Sequence, residues 1–151
     1  MEHPILLKRV IDGDTVQVDI DLGFGIHLVD QHLRLDGIDT PEIHSSEPME
    51  KHYGALARAA LEGWLGARDS QQLRLVCGHN DRDKFGRLLG NIRDSETMET
   101  ASEFLIKQHH AVPYHGQNKD EVRQAHLENR RRLQIKREAD TESPTSSPSC
   151  V

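Results

Sequence analysis

Ten residues of the chain, LRLDGIDTPE at 33–42, concentrate groups that can do chemistry at the end of a predicted strand. Arg34 supplies a guanidinium, while Asp39 and Glu42 supply carboxylates. The proline after Thr40 favours an extended backbone at that threonine, so its carbonyl oxygen can serve as a further ligand. Oxygen donors without a companion His or Cys favour Ca²⁺ or Mg²⁺ over zinc. The stretch therefore predicts a site for a hard divalent cation beside an anion-binding arginine.

Two further stretches place charged groups at predicted strand ends: DGDT at 12–15 and DKFGR at 83–87. Asp14 adds a second carboxylate ligand, and Arg87 joins Arg34 as an anion clamp because a planar guanidinium matches phosphate oxygens. A cation, two arginines and a carboxylate that orients or deprotonates water are the parts that phosphodiester hydrolysis needs. Each stretch alone is more often an ordinary turn or loop. The combination of the three stretches supports the hypothesis of a site for phosphodiester hydrolysis.

Hydrophobic periodicity and turn residues predict the elements that position these groups. Strands are predicted at 5–11, 15–22, 31–35, 72–77 and 87–93, and helices at 50–67, 98–108 and 120–139. Asp-Gly at 12–13 predicts a hairpin turn, LGFGIH at 22–27 a second turn or bulge, and GHNDRDKFG at 78–86 a polar loop. Ser95 or Thr97 is the expected N-cap of the second helix. The order favours a mainly β, α+β fold: a five-stranded OB-fold barrel with about three α-helices.

Composition limits the class of protein. The chain has 151 residues, which suits one domain, predicted at 1–139. The polar stretch 140–151 is predicted to be a disordered tail. The net charge of −6 argues against indiscriminate nucleic-acid binding but leaves room for a local basic site.

Location and redox environment are read from the N-terminus and the cysteines. The first residues lack the apolar stretch of a secretory signal, so a cytoplasmic location is the default expectation, or a secreted or periplasmic one if the chain is a processed form. Two cysteines are too few for a disulfide framework. No run approaches the length of a membrane span, so no membrane association is expected.

At this point the chain resembles the staphylococcal nuclease (thermonuclease) family. The matching motifs are VIDGDTV at 10–16, R-x₄-D-T-P-E at 34–42 and DKFGRLL at 83–89, together with the predicted helix that begins EKHYGALARAAL. Their order and spacing match the family over roughly residues 5–139, and the three motifs together are specific. The resemblance implies an OB-fold, Ca²⁺-dependent nuclease that cuts DNA and RNA to leave 3′-phosphate and 5′-hydroxyl ends. It also implies a monomer that prefers single-stranded or frayed segments.

The resemblance also implies roles for individual residues. It makes three residues Ca²⁺ ligands: Asp14, Asp39 and, through its backbone carbonyl, Thr40. It makes Glu42 the general base, and it gives Arg34 and Arg87 the task of binding the scissile phosphate and stabilising its transition state. Asp12 becomes a carboxylate behind the ligands, near the ion.

Three residues are implied to bind substrate. Lys84 holds a neighbouring phosphate, and Tyr114 stacks on a base. Phe85 stands where the staphylococcal enzyme has Tyr, which removes a hydroxyl but keeps the aromatic face. The segment 19–32 also differs from the shorter hairpin of the staphylococcal enzyme, so the approach of substrate is expected to differ.

Two alternatives to a nuclease stay open. One is a catalytically silent nuclease-like module that binds single-stranded nucleic acid or protein, although such modules typically lose part of the acidic and arginine set that is complete here. The other is an OB-fold binding protein unrelated to nucleases.

The basic run NRRRLQIKR at 129–137 is expected to be a solvated helix face, with guidance of nucleic acid as the second interpretation.

Overall fold

The structure, a computed structural model, describes residues 2–142, and of residues 78–81 and 142 it describes the backbone alone. The elements are β1 (Glu2–Asp12), β2 (Thr15–Gly23), β3 (Ile26–Leu35), β4 (Ile38–Asp39), α1 (Pro48–Gly66), a 3₁₀ turn (Ser70–Gln72), β5 (Leu73–Arg82), β6 (Leu88–Asp94), α2 (Ala101–Lys107), β7 (Val112–Pro113) and α3 (Lys119–Glu142). Five strands close a barrel in the order β1-β2-β3-β6-β5, with β3 parallel to β6 and the other pairs antiparallel. The predicted OB-fold barrel with three helices is confirmed.

The core lies inside the barrel and under α1. On β2 the buried residues Val16, Val18 and Ile20 alternate with half-buried polar ones, because successive side chains of a strand point to opposite faces. Leu61 and Trp64 of α1 are buried in the same core, as their helical spacing predicts. Burial of each such aliphatic side chain stabilises the folded state by about 1.5–3 kcal/mol relative to leaving it exposed. In the part of the chain that is described, no helix is both long and apolar enough to cross a membrane.

The β2–β3 hairpin is longer than the sequence predicts. The turn is confined to residues 23–25, where Gly23 and Gly25 adopt φ of 86° and 78°, and β3 begins at Ile26 rather than at 31. Both faces of this outer ribbon are solvated, with Phe24 and Val29 exposed. Its sequence therefore lacks the apolar alternation by which a half-buried strand is recognised.

The β5–β6 connection is shorter than predicted for a similar reason. β5 continues through the polar residues to Arg82, which pairs with Leu88. The backbone N–H of Asp83 then donates to the carbonyl of Arg87 at 2.8 Å. Backbone pairing, which needs no apolar side chains, extends the hairpin, so the predicted loop at 78–86 is wrong in its first half.

The ends of two helices also differ from the predictions. The N-cap of α2 is Thr100, whose side chain accepts the Glu103 N–H, and not Ser95 or Thr97. Asp94 holds the preceding residues in a turn, and Met98 has φ of 68°, which a helix does not allow. α3 runs to Glu142, three residues past its predicted end. Of the predicted tail, 143–151 lies outside the described residues.

A buried ion pair joins α1 to the end of β6. The Arg68 Nε lies 2.7 Å from Asp94 Oδ2, and the Asp94 side chain is 2% exposed. Burial opposes the charge on Asp94, but backbone N–H groups of residues 96 and 97 and the Arg68 guanidinium outweigh it and lower the pKa of the carboxyl. The same guanidinium stacks 4.0 Å from the centre of the Trp64 ring. This pair holds the helix against the barrel.

We expect Arg68→Met to lower the free energy of unfolding by about 3 kcal/mol, the lower end for breaking a buried ion pair, because Asp94 keeps its charge where water hardly reaches. Chemical denaturation at neutral pH measures the change. The matched control is Arg58→Met, which removes an exposed pair with Glu62 and is expected to cost less than about 1 kcal/mol. Equal losses in the two variants would contradict the role of this pair.

Candidate active site

A cleft of about 1260 Å³ opens where the β1–β2 turn, the β3–β4 segment and the β5–β6 loop meet, with α3 along one side. All the residues that the sequence analysis singled out line it: Asp12, Asp14, Arg34, Asp39, Thr40, Glu42, Lys84, Phe85, Arg87 and Tyr114. Strand ends bring them together, because the barrel closes β3 onto β6 in parallel and so places the three motifs at the same rim.

The Arg34 guanidinium lies between the two predicted metal-binding carboxylates. Its Nη2 is 3.4 Å from Asp14 Oδ2 and 3.7 Å from Asp39 Oδ1. Its Nη1 donates to the carbonyl of Leu35 at 2.6 Å, which fixes the plane of the group. The attraction of both carboxylates to one cation offsets the repulsion between them. Asp14 and Asp39 therefore converge on a common point that favours positive charge.

The second arginine, Arg87, reaches Asp14 from the β5–β6 loop. Arg87 Nε lies 2.7 Å from Asp83 Oδ2, and Nη1 donates to Thr15 Oγ1 at 3.4 Å. Thr15 in turn donates to Asp14 Oδ1 at 3.0 Å. Burial opposes the charge on Asp83, but N–H groups of Arg87 and Phe85 lower the pKa of this carboxyl and keep it ionised. Arg87 is thus held beside Asp14 by neighbours rather than left free in the loop.

Asp39 has a second partner that the sequence analysis missed. His126 Nε2 of α3 lies 2.8 Å from Asp39 Oδ2, and the His126 side chain is 12% exposed. The contact spans 87 positions of sequence, so no local pattern announces it. The available signal was the helical spacing of His126 with Asn129 and Arg130, which places all three on one face of α3. That face contacts Ala111 and Glu47 as well as Asp39.

Asp12 and Thr40 lie behind the two carboxylates. Asp12 Oδ1 accepts the backbone N–H of Asp14 at 3.1 Å. Burial, followed by the nearby Asp14 carboxyl, raises the pKa of Asp12 to about 7, so a proton or another positive charge is favoured there. Thr40 is buried, which holds its carbonyl in one place.

Helix α1 packs closely behind this group through two glycines. A Cβ on Gly13 would lie 2.8 Å from Ala57 Cβ and 2.9 Å from Thr40 Oγ1. A Cβ on Gly54 would lie 2.8 Å from the carbonyl of Pro41. These distances are too short for real carbon atoms, so only glycine lets α1 support the DGDT turn and the DTPE segment together.

The remaining predicted residues lie around the open rim of the cleft. Glu42 is exposed, and its Oε1 accepts the His44 N–H at 3.0 Å, which leaves the other oxygen for water. Phe85 is 72% exposed, with Lys84 Nζ 5.2 Å from its ring centre. Tyr114 is 43% exposed on the opposite side, after β7. Two aromatic faces thus border a cleft whose floor is charged.

The donor set suits a hard cation that keeps water ligands. In residues 2–77 and 82–141, whose side chains are described, no group of three or more His, Cys, Asp or Glu side chains could hold a metal ion by itself. Asp14, Asp39 and the Thr40 carbonyl offer oxygen only, and both carboxylates already converge on the Arg34 cation. Such a set fits Ca²⁺ or Mg²⁺ with water completing the coordination.

Comparison with known proteins gives the relationship. The model of the family described as staphylococcal nuclease homologue matches residues 32–139. The thermonuclease of Staphylococcus intermedius is 36% identical over 87 residues, 58% of this chain and 46% of that protein. The thermonuclease of Staphylococcus hyicus is 34% identical over 91 residues, 60% of this chain and 48% of that protein. The chain thus spans about half the length of the curated relatives it matches. It belongs to the staphylococcal nuclease family.

Proposed function

We propose that this protein is a Ca²⁺-dependent nuclease that hydrolyses phosphodiester bonds of DNA and RNA, leaving 3′-phosphate and 5′-hydroxyl ends. The observation that carries the proposal is the convergence of Asp14 and Asp39 on Arg34, with Arg87 held at the same cluster. Family membership and the names of the two thermonucleases support the coarser part of the proposal, a nuclease.

The ion would be held by the Asp14 and Asp39 carboxylates and the Thr40 carbonyl. When bound, Ca²⁺ supplies positive charge for the phosphate oxygens and for a nearby water. Hard oxygen ligands of this kind are those that Ca²⁺ takes in proteins. Asp12, whose carboxyl accepts the Asp14 N–H, would add negative charge beside the ion when it is ionised.

The two arginines bind the scissile phosphate. Both guanidinium groups stay charged at any physiological pH, and their planar forks match phosphate oxygens. Arg87 is oriented beforehand by Asp83 and Thr15. Donors fixed before the reaction stabilise charge that develops in the transition state without reorganisation.

Glu42 acts as the general base. Its carboxylate takes a proton from water as the water oxygen attacks phosphorus. The P–O5′ bond breaks, the phosphate stays on the 3′ oxygen, and the leaving O5′ gains a proton from solvent. The His44 N–H donates to Glu42 Oε1, which leaves Oε2 to accept the proton from water.

Cleavage of a labelled single-stranded DNA tests the proposal. With Ca²⁺ we expect fragments whose 3′ ends a phosphatase converts to hydroxyls, seen as a mobility shift on a sequencing gel. With a chelator we expect no cleavage, because the carboxylates alone offer no positive charge. Absence of cleavage with every divalent ion, while the DNA is still bound, would indicate the catalytically silent binding module instead.

Arg87→Ala and Glu42→Gln are each expected to lower kcat by roughly 10²–10³-fold, the usual effect of losing one preorganised catalytic group. Steady-state kinetics on a short oligonucleotide measures the change. The matched controls, Arg58→Ala and Glu62→Gln, make the same chemical changes on an exposed face of α1 and are expected to retain the parent rate. A parent-like rate in Arg87→Ala would refute the clamp.

His126→Leu is expected to weaken Ca²⁺ binding about 10–100-fold, the usual effect of removing the partner of a metal ligand, because Asp39 loses the contact that orients it. Titration calorimetry measures the affinity directly. His126→Gln, which keeps an N–H donor, should recover part of the loss, and His27→Leu on the exposed β2–β3 ribbon is the control. Unchanged affinity in His126→Leu at unchanged folding would contradict this role.

A further inference from the structure

Two cations of α3 lie on the cleft wall outside the site described above. Lys119 and Arg123 line the cleft from the first two turns of the helix, one helical turn apart, or about 6 Å along the axis. Asn118 accepts the Glu121 N–H at 2.9 Å and so fixes where the helix begins. Their positions are therefore set by the helix and not by a free loop.

These two cations differ in their partners from Arg34, Arg87 and Arg130, the three other arginines of the cleft. Arg34 is shared by Asp14 and Asp39, Arg87 bonds Asp83, and Arg130 bonds Glu47 at 3.2 Å. Among the side chains that the structure describes, those of residues 2–77 and 82–141, no carboxylate oxygen lies within 4 Å of the charged nitrogens of the two α3 cations. Their charge is therefore available to an anion that enters the cleft.

An aromatic ring lies just before these cations on the same wall. The Tyr114 N–H donates to the carbonyl of Gly37 at 2.8 Å, which holds this residue against the β3–β4 turn. Its side chain is partly exposed and lines the cleft. Stacking rings beside cations that follow a backbone are the features by which proteins bind single-stranded nucleic acids.

We propose that Lys119 and Arg123 form a second phosphate-binding subsite, which receives a strand that continues past the scissile bond along α3. This inference rests on the proposed function for the identity of the ligand, and it adds where on the protein a strand of several nucleotides continues beyond the scissile phosphate. The acidic chain as a whole repels polyanions, so the subsite confines binding to the cleft.

Binding is measured without cleavage, by fluorescence anisotropy of a labelled single-stranded 12-nucleotide DNA in chelator. The double variant Lys119→Gln/Arg123→Gln is expected to bind roughly tenfold more weakly than the parent, and its plot of log affinity against log salt should flatten by roughly 0.7 per removed phosphate contact. With Ca²⁺ the same variant should show a higher KM for the 12-mer, with KM for a dinucleotide unchanged.

The matched control is Arg131→Gln/Arg132→Gln, which removes two cations from the same helix whose partner is Glu128 and which do not line the cleft. It should leave both affinity and salt slope near the parent values. Equal weakening in the two double variants, or no weakening in the cleft variant, overturns the subsite, as does a parent that binds no single-stranded DNA. A parent that binds but does not cleave refutes the proposed function, and the binding comparison still decides the subsite.

Discussion

The organisation of the cleft depends on one interaction, the sharing of the Arg34 guanidinium between Asp14 and Asp39. Without a cation between them, two carboxylates from different strands would repel each other and separate. With it they form an acidic cluster that the rest of the structure extends: Thr15 connects Asp14 to Arg87, and His126 connects Asp39 to α3. The β1–β2 turn, β3, β4, the β5–β6 loop and α3 thus meet through one chain of polar contacts.

The barrel and α1 serve this cluster by bringing backbone segments unusually close. The parallel pairing of β3 with β6 joins the LDGIDTPE segment to the DKFGR loop, and two glycines let α1 lie directly against the DGDT turn and the DTPE segment. The Arg68–Asp94 pair then holds the far end of α1. Because protein interiors are densely packed, a small displacement of the helix moves the site as well.

The cleft is lined by charges of both signs, in a chain whose net charge is negative. The chain is acidic overall, yet cations from β3, the β5–β6 loop and α3 line one concavity that also holds carboxylates. Arg34, Arg87 and Arg130 are paired with specific carboxylates, whereas Lys119 and Arg123 in the first turns of α3 have no such partner among the described side chains. Under the proposed function, a polyanion would be bound through specific positions of the cleft more than through general electrostatic attraction to the protein.

The sequence by itself determined the barrel, the three helices and the ten cleft residues named in the sequence analysis. Strand alternation, helical spacing and motifs at strand ends are local patterns, which is why they could be recognised there. The sequence did not reveal the outer parts of the β2–β3 and β5–β6 hairpins, where backbone pairing needs no apolar side chains, nor the Thr100 cap, which depends on the turn held by Asp94. Only the tertiary structure placed His126 on Asp39 and the α3 cations on the cleft wall. Those contacts join residues far apart in the chain, and they arise because α3 docks beside the cleft. No local pattern in the sequence specifies that docking.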